Sequence, residues 1–404
     1  MKIVWKKILV LILCVLSYGY FPLAAADVPD GWAHRLCACL DALRQESRVE
    51  DSTQLALCVY DLTADSMLYA HHPSWRMRPA STMKLLTAIT ALSDLGEDFR
   101  FRTSLYARGE VRQGVLWGDL YAVGGFDPLF GYDDLQGLVC AVRDAGIDSV
   151  SGRIYADISM KDTLKWGSGW CWDDEAERLT PLLYRGRDEF IPHLKTAFGD
   201  AGIGIEETAL ESDSLYTVCP PDARLLGRRT HALTEVLLPM MKESDNQYAE
   251  ALFYQLAALS GRLYASAEDA RARMDSLIIG FGFEPQHYDL VDGSGLSLYN
   301  YVSAELEIAF LRYAYQRDGI FPALYASLPV AGVDGTLKNR MRRSPARGKV
   351  RAKTGTLTGV ATLAGYVQVP NGHWLAFCIM NQGQCKARSA RDFQDRVCTL
   401  FLEH

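Results

Sequence analysis

Three short groups of polar residues in this sequence have the residue types and the spacing that a serine acyl-transfer reaction needs. The first group is Ser81-Thr82-Met83-Lys84. A separation of three positions places the hydroxyl of Ser81 and the amine of Lys84 on the same face of a helix. A lysine held in a partly desolvated cleft has a lowered pKa and can take the proton of a serine. Ser81 is the only serine in the sequence with a lysine three positions later, so this pair is the candidate nucleophile and base.

The second group is Ser244-Asp245-Asn246, between two segments with helical periodicity. A loop of this composition can present a hydroxyl that relays a proton and a carboxamide that holds a substrate amide. Helix capping is the alternative, because Ser, Asp and Asn are all preferred at the first position of a helix. Taken alone, the group favours helix capping.

The third group is Lys353-Thr354-Gly355-Thr356, at the start of a strand pair predicted near 350–369. A lysine on a strand that lines a cleft can bind a carboxylate. The glycine would let a substrate backbone lie against the strand as an added edge strand. The alternative is an ordinary surface turn.

The order of the three groups, on a helix start, an inter-helix loop and a strand, resembles that of the serine β-lactamase and penicillin-binding protein superfamily. The 160 positions between Lys84 and Ser244 are more than a single-domain β-lactamase would place there. The chain resembles the D-alanyl-D-alanine carboxypeptidase/endopeptidase family of class C low-molecular-mass penicillin-binding proteins, which carry extra domains in this gap. The insertion is shorter than in the large members, which implies that one of the two extra domains is reduced or missing. The stretches that carry the likeness are 79–85, 118–128, 244–250, 292–297, 332–337 and 352–357.

The resemblance implies a role for each residue of the three groups. Ser81 would form the acyl-enzyme with Lys84 as its base, and the backbone N–H groups of Ser81 and Thr356 would form the oxyanion hole. Ser244 would carry the proton to the leaving D-alanine, and Asn246 would hold the peptide amide. The terminal carboxylate would be bound by residues of the third group, which are Lys353, Thr354 and Thr356, with Gly355 between them. Neither a metal nor a cofactor is implied.

The implied activity is that of a serine-type D-Ala-D-Ala carboxypeptidase, alone or together with D,D-endopeptidase action on cross-links. Its partners would be a peptidoglycan stem peptide or cross-link, and β-lactams would be covalent inhibitors. Two alternatives stay open. A serine β-lactamase shares the acylation step but needs a water-activating carboxylate for fast deacylation, and the sequence does not identify one. A non-enzymatic cell-wall binding or receptor protein would keep the fold, but the intact Ser81/Lys84 pair argues against it.

The elements that position these groups suggest an α/β (α+β) protein with two domains. Apolar periodicity predicts helices at 31–47, 80–95, 231–242, 247–259, 267–280, 303–317 and 387–402, and strands at 55–60, 67–70, 350–369 and 374–380. We therefore expect a β-lactamase/transpeptidase-like domain over 27–96 and 230–404, in which helices flank an antiparallel sheet. A β-rich domain over 97–229, with short strands and one helix near 135–145, would be inserted into it. Trp170 and Trp172 are expected to pack inside that insert, and the alternative is that they line a groove for glycan or peptide.

The start of the chain has the layout of a secretory signal peptide over 1–26, with a basic Met1-Lys2, an apolar run and a small-residue Ala24-Ala25-Ala26. The mature protein is therefore expected to be exported and periplasmic or extracytoplasmic, with peripheral membrane association as an option. Removal of this segment takes the formal charge from −7 to −10. An acidic protein without a basic stripe is a poor nucleic-acid partner. The odd number of mature cysteines supports no particular disulfide, and no zinc-ligand spacing occurs.

Overall fold

The computed structural model describes residues 31–206, 215–383 and 387–403, so the expected signal peptide over 1–26 lies outside the described residues. The described strands are β1 (Gln54–Asp61), β2 (Ser66–His71), β3 (Arg100–Arg112), β4 (Val115–Val123), β5 (Ser149–Val150), β6 (Ile154–Asp157), β7 (Gly204–Ile205), β8 (Leu215–Tyr216), β9 (Arg224–Ala232), β10 (Arg351–Leu357), β11 (Val360–Gln368) and β12 (Trp374–Gln382). The described α-helices are α1 (Gly31–Ser47), α2 (Met83–Leu95), α3 (Tyr132–Asp144), α4 (Phe190–Asp200), α5 (Leu233–Lys242), α6 (Asn246–Ala258), α7 (Ala267–Gly280), α8 (Ala304–Tyr315), α9 (Phe321–Ser327) and α10 (Ala387–Leu400).

Strand β1 lies inside an antiparallel sheet whose described strands follow the order β10-β11-β12-β1-β2. Alternate side chains of a strand point to opposite faces, and β1 is buried on both. Leu55, Leu57 and Val59 pack with α1 and α10 on one face. Ala56 and Cys58 pack with α2, α6 and α8 on the other. The helices on both sides explain why β1 reads as a continuous apolar run, and they confirm the predicted α/β class with a helix-flanked antiparallel sheet.

A second sheet contains β3 to β9, and its own core lies against α3 and α4. Strand β3 pairs antiparallel with β4 and with β9, whereas the short strands pair in parallel. The chain enters and leaves this sheet at one place, because the backbone N–H of Leu233 donates to the carbonyl of Phe99 at 2.9 Å. The boundaries 97–229 of the predicted insert stay a prediction.

Most predicted elements of the first sheet and its helices are confirmed to within a few residues. The predicted helix at 80–95 begins as a 3₁₀ turn, Ala80–Thr82, before α2 starts at Met83. Helices α4 and α9 and strand β9 were not predicted. In the part of the chain that the structure describes, no helix is both long and apolar enough to cross a bilayer.

Candidate active site

The structure brings the three polar groups together around one crevice. The amine of Lys84 lies 3.1 Å from the Ser81 hydroxyl oxygen and 2.7 Å from Oδ1 of Asn246. The amine of Lys353 lies 2.7 Å from the hydroxyl oxygen of Ser244. These contacts span 109 to 162 positions of sequence between groups, so tertiary packing alone creates the cluster.

Ser81 stands on a tight turn that packing holds in an unusual backbone conformation. The preceding residue, Ala80, has a φ of 48° and is fully buried, a conformation that costs free energy for a residue with a side chain. A Cβ on Gly295 would lie 1.8 Å from the carbonyl oxygen of Ala80. The absence of a side chain at Gly295 therefore lets the turn press against the 292–297 loop and keeps the Ser81 hydroxyl fixed over the start of α2.

Lys84 is a fully buried amine with three hydrogen-bond acceptors around it. Besides Ser81 and Asn246, it contacts the carbonyl oxygen of Ser294 at 2.9 Å. Burial lowers the pKa of Lys84 to about 8, and the negative charges of Asp292 and other nearby carboxylates limit the fall. A neutral amine has two N–H bonds and one lone pair. With the N–H bonds directed at Asn246 and Ser294, the lone pair is left for the proton of Ser81.

The Ser244-Asp245-Asn246 group combines the two interpretations that the sequence left open. The Asp245 carboxylate accepts the backbone N–H groups of Gln247 and Tyr248 and so caps α6. The residues on either side, Ser244 and Asn246, contact the two lysines instead. Ser244 has a φ of 64°, which is uncommon for a serine and is held here by the cap that follows it.

Strand β10 carries Lys353 and the threonines along the edge of the crevice. Burial and the charge of Lys84 hold the pKa of Lys353 well below its usual range. Its amine also donates to the carbonyl of Thr354 at 2.8 Å. The Thr354 hydroxyl lies 2.8 Å from that of Thr336, and the Thr356 hydroxyl accepts from the Arg391 guanidinium at 3.3 Å. The contacts of Thr336 and Arg391 were not foreseen from the sequence.

Gly355 lies against the turn that carries Ser81. A Cβ built on Gly355 would lie 2.0 Å from the hydroxyl oxygen of Thr362 and 2.9 Å from the backbone nitrogen of Ser81. The missing side chain makes room for the turn that carries Ser81, on the inner side of the strand. The missing side chain is therefore needed for the close approach of the nucleophile, and the substrate backbone expected beside Gly355 stays a prediction.

Two buried carboxyl groups, Asp292 and Glu250, lie behind Lys84, and the sequence did not reveal that they are buried. Asp292 accepts hydrogen bonds from the backbone of Gly295 and Ser297 at 2.7 and 2.6 Å. Glu250 accepts the backbone N–H of Ser294 at 2.8 Å. Burial and the charge of Asp292 raise the pKa of Glu250. Together they fix the loop whose Ser294 carbonyl contacts Lys84, and the only sequence signal was the cluster of Gly, Ser and Asp at 292–297.

Trp170 and Trp172 do not pack inside the insert, contrary to the expectation from the sequence. Trp170 donates from its indole Nε1 to Asp292 at 2.9 Å and packs against the core beside α2 and α6. Trp172 is 97% exposed, and Trp166 is also exposed. The segment therefore turns toward the crevice, because a buried carboxylate there offers an acceptor for the indole N–H.

A third buried carboxyl, Glu307 on α8, lies beneath the nucleophile turn. Its Oε1 is 2.6 Å from the hydroxyl oxygen of Thr82, and its Oε2 accepts from the thiol of Cys378 at 3.3 Å. Because Glu307 is fully buried and none of the described residues gives it a cationic partner, burial raises its pKa to about 7. Residue 82 follows the candidate nucleophile directly, so this contact supports the turn from below.

The chain is similar to several known proteins. A family model described as the D-Ala-D-Ala carboxypeptidase 3 (S13) family matches residues 36–182 and 187–402. The chain is 29% identical over 482 residues to a D-alanyl-D-alanine carboxypeptidase of Actinomadura sp. (strain R39), covering 94% of this chain and 87% of that protein. It is 30% identical over 336 residues to carboxypeptidase DacB of Mycolicibacterium smegmatis, covering 76% and 71%. Its fold is similar to penicillin binding protein 4 (dacB) of Haemophilus influenzae, with a TM-score of 0.79, 22% identity, and coverage of 89% of this chain and 99% of that one.

Proposed function

The chain belongs to the D-Ala-D-Ala carboxypeptidase 3 (S13) family, and on that basis we propose that it is a serine-type D-Ala-D-Ala carboxypeptidase whose nucleophile is Ser81. The observation that carries the assignment is the position of the Lys84 amine. It is buried and lies 3.1 Å from the Ser81 hydroxyl, with its other two contacts made to oxygens that cannot donate a proton. This arrangement supplies a base with a lowered pKa to a hydroxyl that needs one.

Acylation follows from this arrangement. Neutral Lys84 takes the proton of Ser81 as the serine oxygen attacks the carbonyl carbon of the penultimate D-alanine. The backbone N–H groups of Ser81 and Thr356 stabilise the oxyanion, where one such donor is commonly worth about 10²–10³ in rate. The peptide C–N bond then breaks, and Ser244 passes its proton to the departing amine of the terminal D-alanine. Ser244 receives in exchange the proton that Lys84 took from Ser81, so Lys84 is neutral again. An ester on Ser81 remains.

Deacylation reverses the proton transfers. A water molecule attacks the ester carbonyl, its proton goes to Lys84, and the serine oxygen leaves with a proton returned from the amine. The products are the shortened stem peptide with a new carboxylate and free Ser81. Asn246 holds the peptide amide of the substrate during both steps, because its carboxamide lies beside the Lys84 amine.

Residues of strand β10 would bind the terminal carboxylate of the substrate. Lys353, Thr354 and Thr356 supply an amine and two hydroxyls along one strand. Arg391 adds a guanidinium to this set through its contact with Thr356. Amine and hydroxyl donors of this kind bind a carboxylate through hydrogen bonds, and the bond from the Arg391 guanidinium would be charge-assisted. The same groups would hold the carboxylate of a β-lactam, which would then acylate Ser81.

A β-lactamase is disfavoured by the surroundings of the buried carboxyls. Asp292 and Glu250 are each 1% exposed, and their oxygens accept backbone N–H groups of the 292–297 loop. Neither carboxyl is free to activate a water molecule in the crevice. We also propose that the protein is exported and that its partner is peptidoglycan. Two further parts of the proposal are D,D-endopeptidase action on cross-links and an inserted domain over 97–229.

The test is release of D-alanine from a synthetic stem peptide that ends in D-Ala-D-Ala, alongside covalent labelling by fluorescent penicillin. We expect both, together with slow, near-stoichiometric turnover of nitrocefin. Rapid multiple turnover of nitrocefin without D-alanine release would identify a β-lactamase. Absence of penicillin labelling would favour a non-enzymatic binding protein. Mass spectrometry of linear and cross-linked muropeptides after digestion separates carboxypeptidase from endopeptidase action.

A further inference from the structure

A run of positive charge lies beside the crevice in an otherwise acidic chain. Residues 337–353 contain eight lysines and arginines and no acidic residue, whereas the whole sequence carries a formal charge of −7. This run corrects the expectation that the chain lacks a basic stripe, because the average over the chain conceals a local concentration. Like charges that are close together repel one another, so this concentration of cations costs free energy unless an anion neutralises it.

The fold directs these side chains outward into one cleft. Four apolar residues of this segment are buried in the core under β10 and β11; they are Leu337, Met341, Ala346 and Val350. Most of the lysines and arginines of the segment lie between these buried residues in the sequence. They line a concave cleft of about 1190 Å³ that contains Lys338, Arg342, Arg343 and Arg347, with Val333 and a single acidic residue, Glu403.

The four cations of this cleft have no internal counterion. Among the described residues, no carboxylate lies within 4 Å of Lys338, Arg342, Arg343 or Arg347, and all four are exposed. Nearby cations are different, since Arg340 pairs with Asp395 and Lys242 with Asp334. The fold thus neutralises the cations that support its structure and leaves those of the cleft available to an external anion.

The cleft adjoins the carboxylate-binding end of the crevice. Lys338 directly follows the 3₁₀ turn Gly335–Leu337, in which the Thr336 hydroxyl contacts Thr354 of β10. Helix α10 also connects the basic cleft with the crevice. Its residue Arg391 contacts Thr356 of β10, and its residue Thr399 lines the cleft. Eight residues of α-helix span about 12 Å, so one extended ligand can reach from the cleft to the crevice.

We propose that this basic cleft is a second binding site for the substrate polymer, where it holds the carboxylates of a neighbouring peptidoglycan stem while another stem occupies the crevice. The inference rests on the proposed function. Guanidinium groups bind carboxylates through paired hydrogen bonds, and three of the four cations are arginines. A recessed surface suits a chain that enters it, whereas a membrane is planar. The described residues that line the cleft also include none of the exposed aromatic side chains that anchor proteins at a lipid interface.

The experiment measures cosedimentation of the full chain, first blocked with penicillin G, with purified peptidoglycan sacculi. Blocking Ser81 removes binding through the crevice, so the remaining binding reports on the cleft. The variant Arg342→Gln/Arg343→Gln/Arg347→Gln should bind sacculi about tenfold more weakly and with a smaller salt dependence. The matched control Arg35→Gln/Arg153→Gln/Arg224→Gln removes the same charge from exposed arginines elsewhere and should bind like the parent protein.

Competing anions identify the source of the ligand. Poly-L-glutamate should displace the protein from sacculi, and vesicles of phosphatidylglycerol should bind the parent and the cleft variant equally. Equal binding of both triple variants to sacculi would overturn the proposal. So would displacement by polyphosphate but not by poly-L-glutamate, or cleft-dependent binding to the vesicles alone. Penicillin labelling of every variant is measured in parallel, so a failure of the cleft is distinguishable from a failure of the proposed function.

Discussion

The indole Nε1 of Trp170 donates a 2.9 Å hydrogen bond to Oδ2 of Asp292, across 122 positions of sequence. Asp292 also accepts from Gly295, Ser297 and Asn300, so this contact attaches the segment before α4 to the loop that touches Lys84. The position of the lysine therefore depends partly on a residue that is far from it in the chain.

Replacement of Trp170 by Phe should loosen this attachment. The change leaves one oxygen of a buried carboxylate with fewer donors, which costs about 1–3 kcal/mol of unfolding free energy. We also expect a slower reaction with fluorescent penicillin, because the 292–297 loop is less constrained. Urea unfolding and single-turnover labelling measure the two effects. Trp172→Phe is the control, since that ring is almost fully exposed and its loss should change neither quantity.

Ser81→Ala should abolish covalent labelling by penicillin and leave the protein folded. The serine contributes only a small side chain at the start of a helical turn, so its loss costs at most about 1–2 kcal/mol. Labelling is read by gel fluorescence and folding by circular dichroism. Ser93→Ala, on α2 directly after the turn of Ser81 and with its hydroxyl bound to Tyr313, should label normally. Persistent covalent labelling of the Ser81→Ala protein would show that another residue is the nucleophile.

The rate of acylation should rise with pH through the pKa of Lys84. Burial lowers that pKa to about 8, and only the neutral amine can accept the serine proton. The neutral fraction is then roughly 1% at pH 6, so labelling at pH 6 should be about a hundredfold slower than its limit at high pH. Single-turnover labelling between pH 6 and 9 gives the profile. A rate that is constant over this range contradicts the assignment of Lys84 as the base.

Gly355→Ala should impair the nucleophile turn. The added methyl group would sit 2.0 Å from the Thr362 hydroxyl oxygen and 2.9 Å from the backbone nitrogen of Ser81. Overpacking of this kind costs about 1–3 kcal/mol, and displacement of the Ser81 N–H also weakens the oxyanion hole. We expect a lower melting temperature and labelling at least about tenfold slower. Gly319→Ala, which meets no atom within 4 Å, should be silent in both assays.

Glu307→Gln should change how stability depends on pH. Burial raises the pKa of folded Glu307 to about 7, above its value in the unfolded chain, so the folded state retains the proton longer. This carboxyl therefore makes the protein less stable as pH rises from about 4.5 to about 7, and the neutral amide removes that loss. Relative to the parent, Glu307→Gln should gain about 2–3 kcal/mol of unfolding free energy between pH 5 and pH 8.

The measurement for Glu307 is urea unfolding at both pH values. Glu177→Gln provides the comparison, because Glu177 is exposed and should show the same pH dependence as the parent. If the Glu307→Gln curve runs parallel to that of the parent between pH 5 and pH 8, the carboxyl is not held neutral in the fold.

The residues with local sequence signals were predicted correctly as structural elements. Ser81 and Lys84 are three positions apart at the start of a helix, and the geometry of a helix turn brings them together without any distant contact. Strand β1 was recognisable from its apolar run, because both of its faces are buried. Asp245 caps α6 as a helix-start signal suggests, and the same loop still places Ser244 and Asn246 against the two lysines.

Residues that depend on distant partners were missed or misjudged. Nothing near Glu250 or Glu307 in sequence reveals that each will be buried, since both stand on amphipathic helices among ordinary apolar neighbours. Trp170 was assigned to the interior of the insert because three tryptophans in a short segment suggest a local core. Its actual partner, Asp292, is far along the chain. The two-residue strands β5, β7 and β8 are too short to produce a periodic pattern.

The pairing of β1 with β12 has a consequence for biogenesis. A nascent chain that has released Ser81 and Lys84 but not residues 351–382 lacks β10 to β12, and β1 then has only β2 beside it. Such contacts between remote segments close late and slowly. We therefore expect the reactive serine to stay inert during synthesis until β10 to β12 have docked against β1.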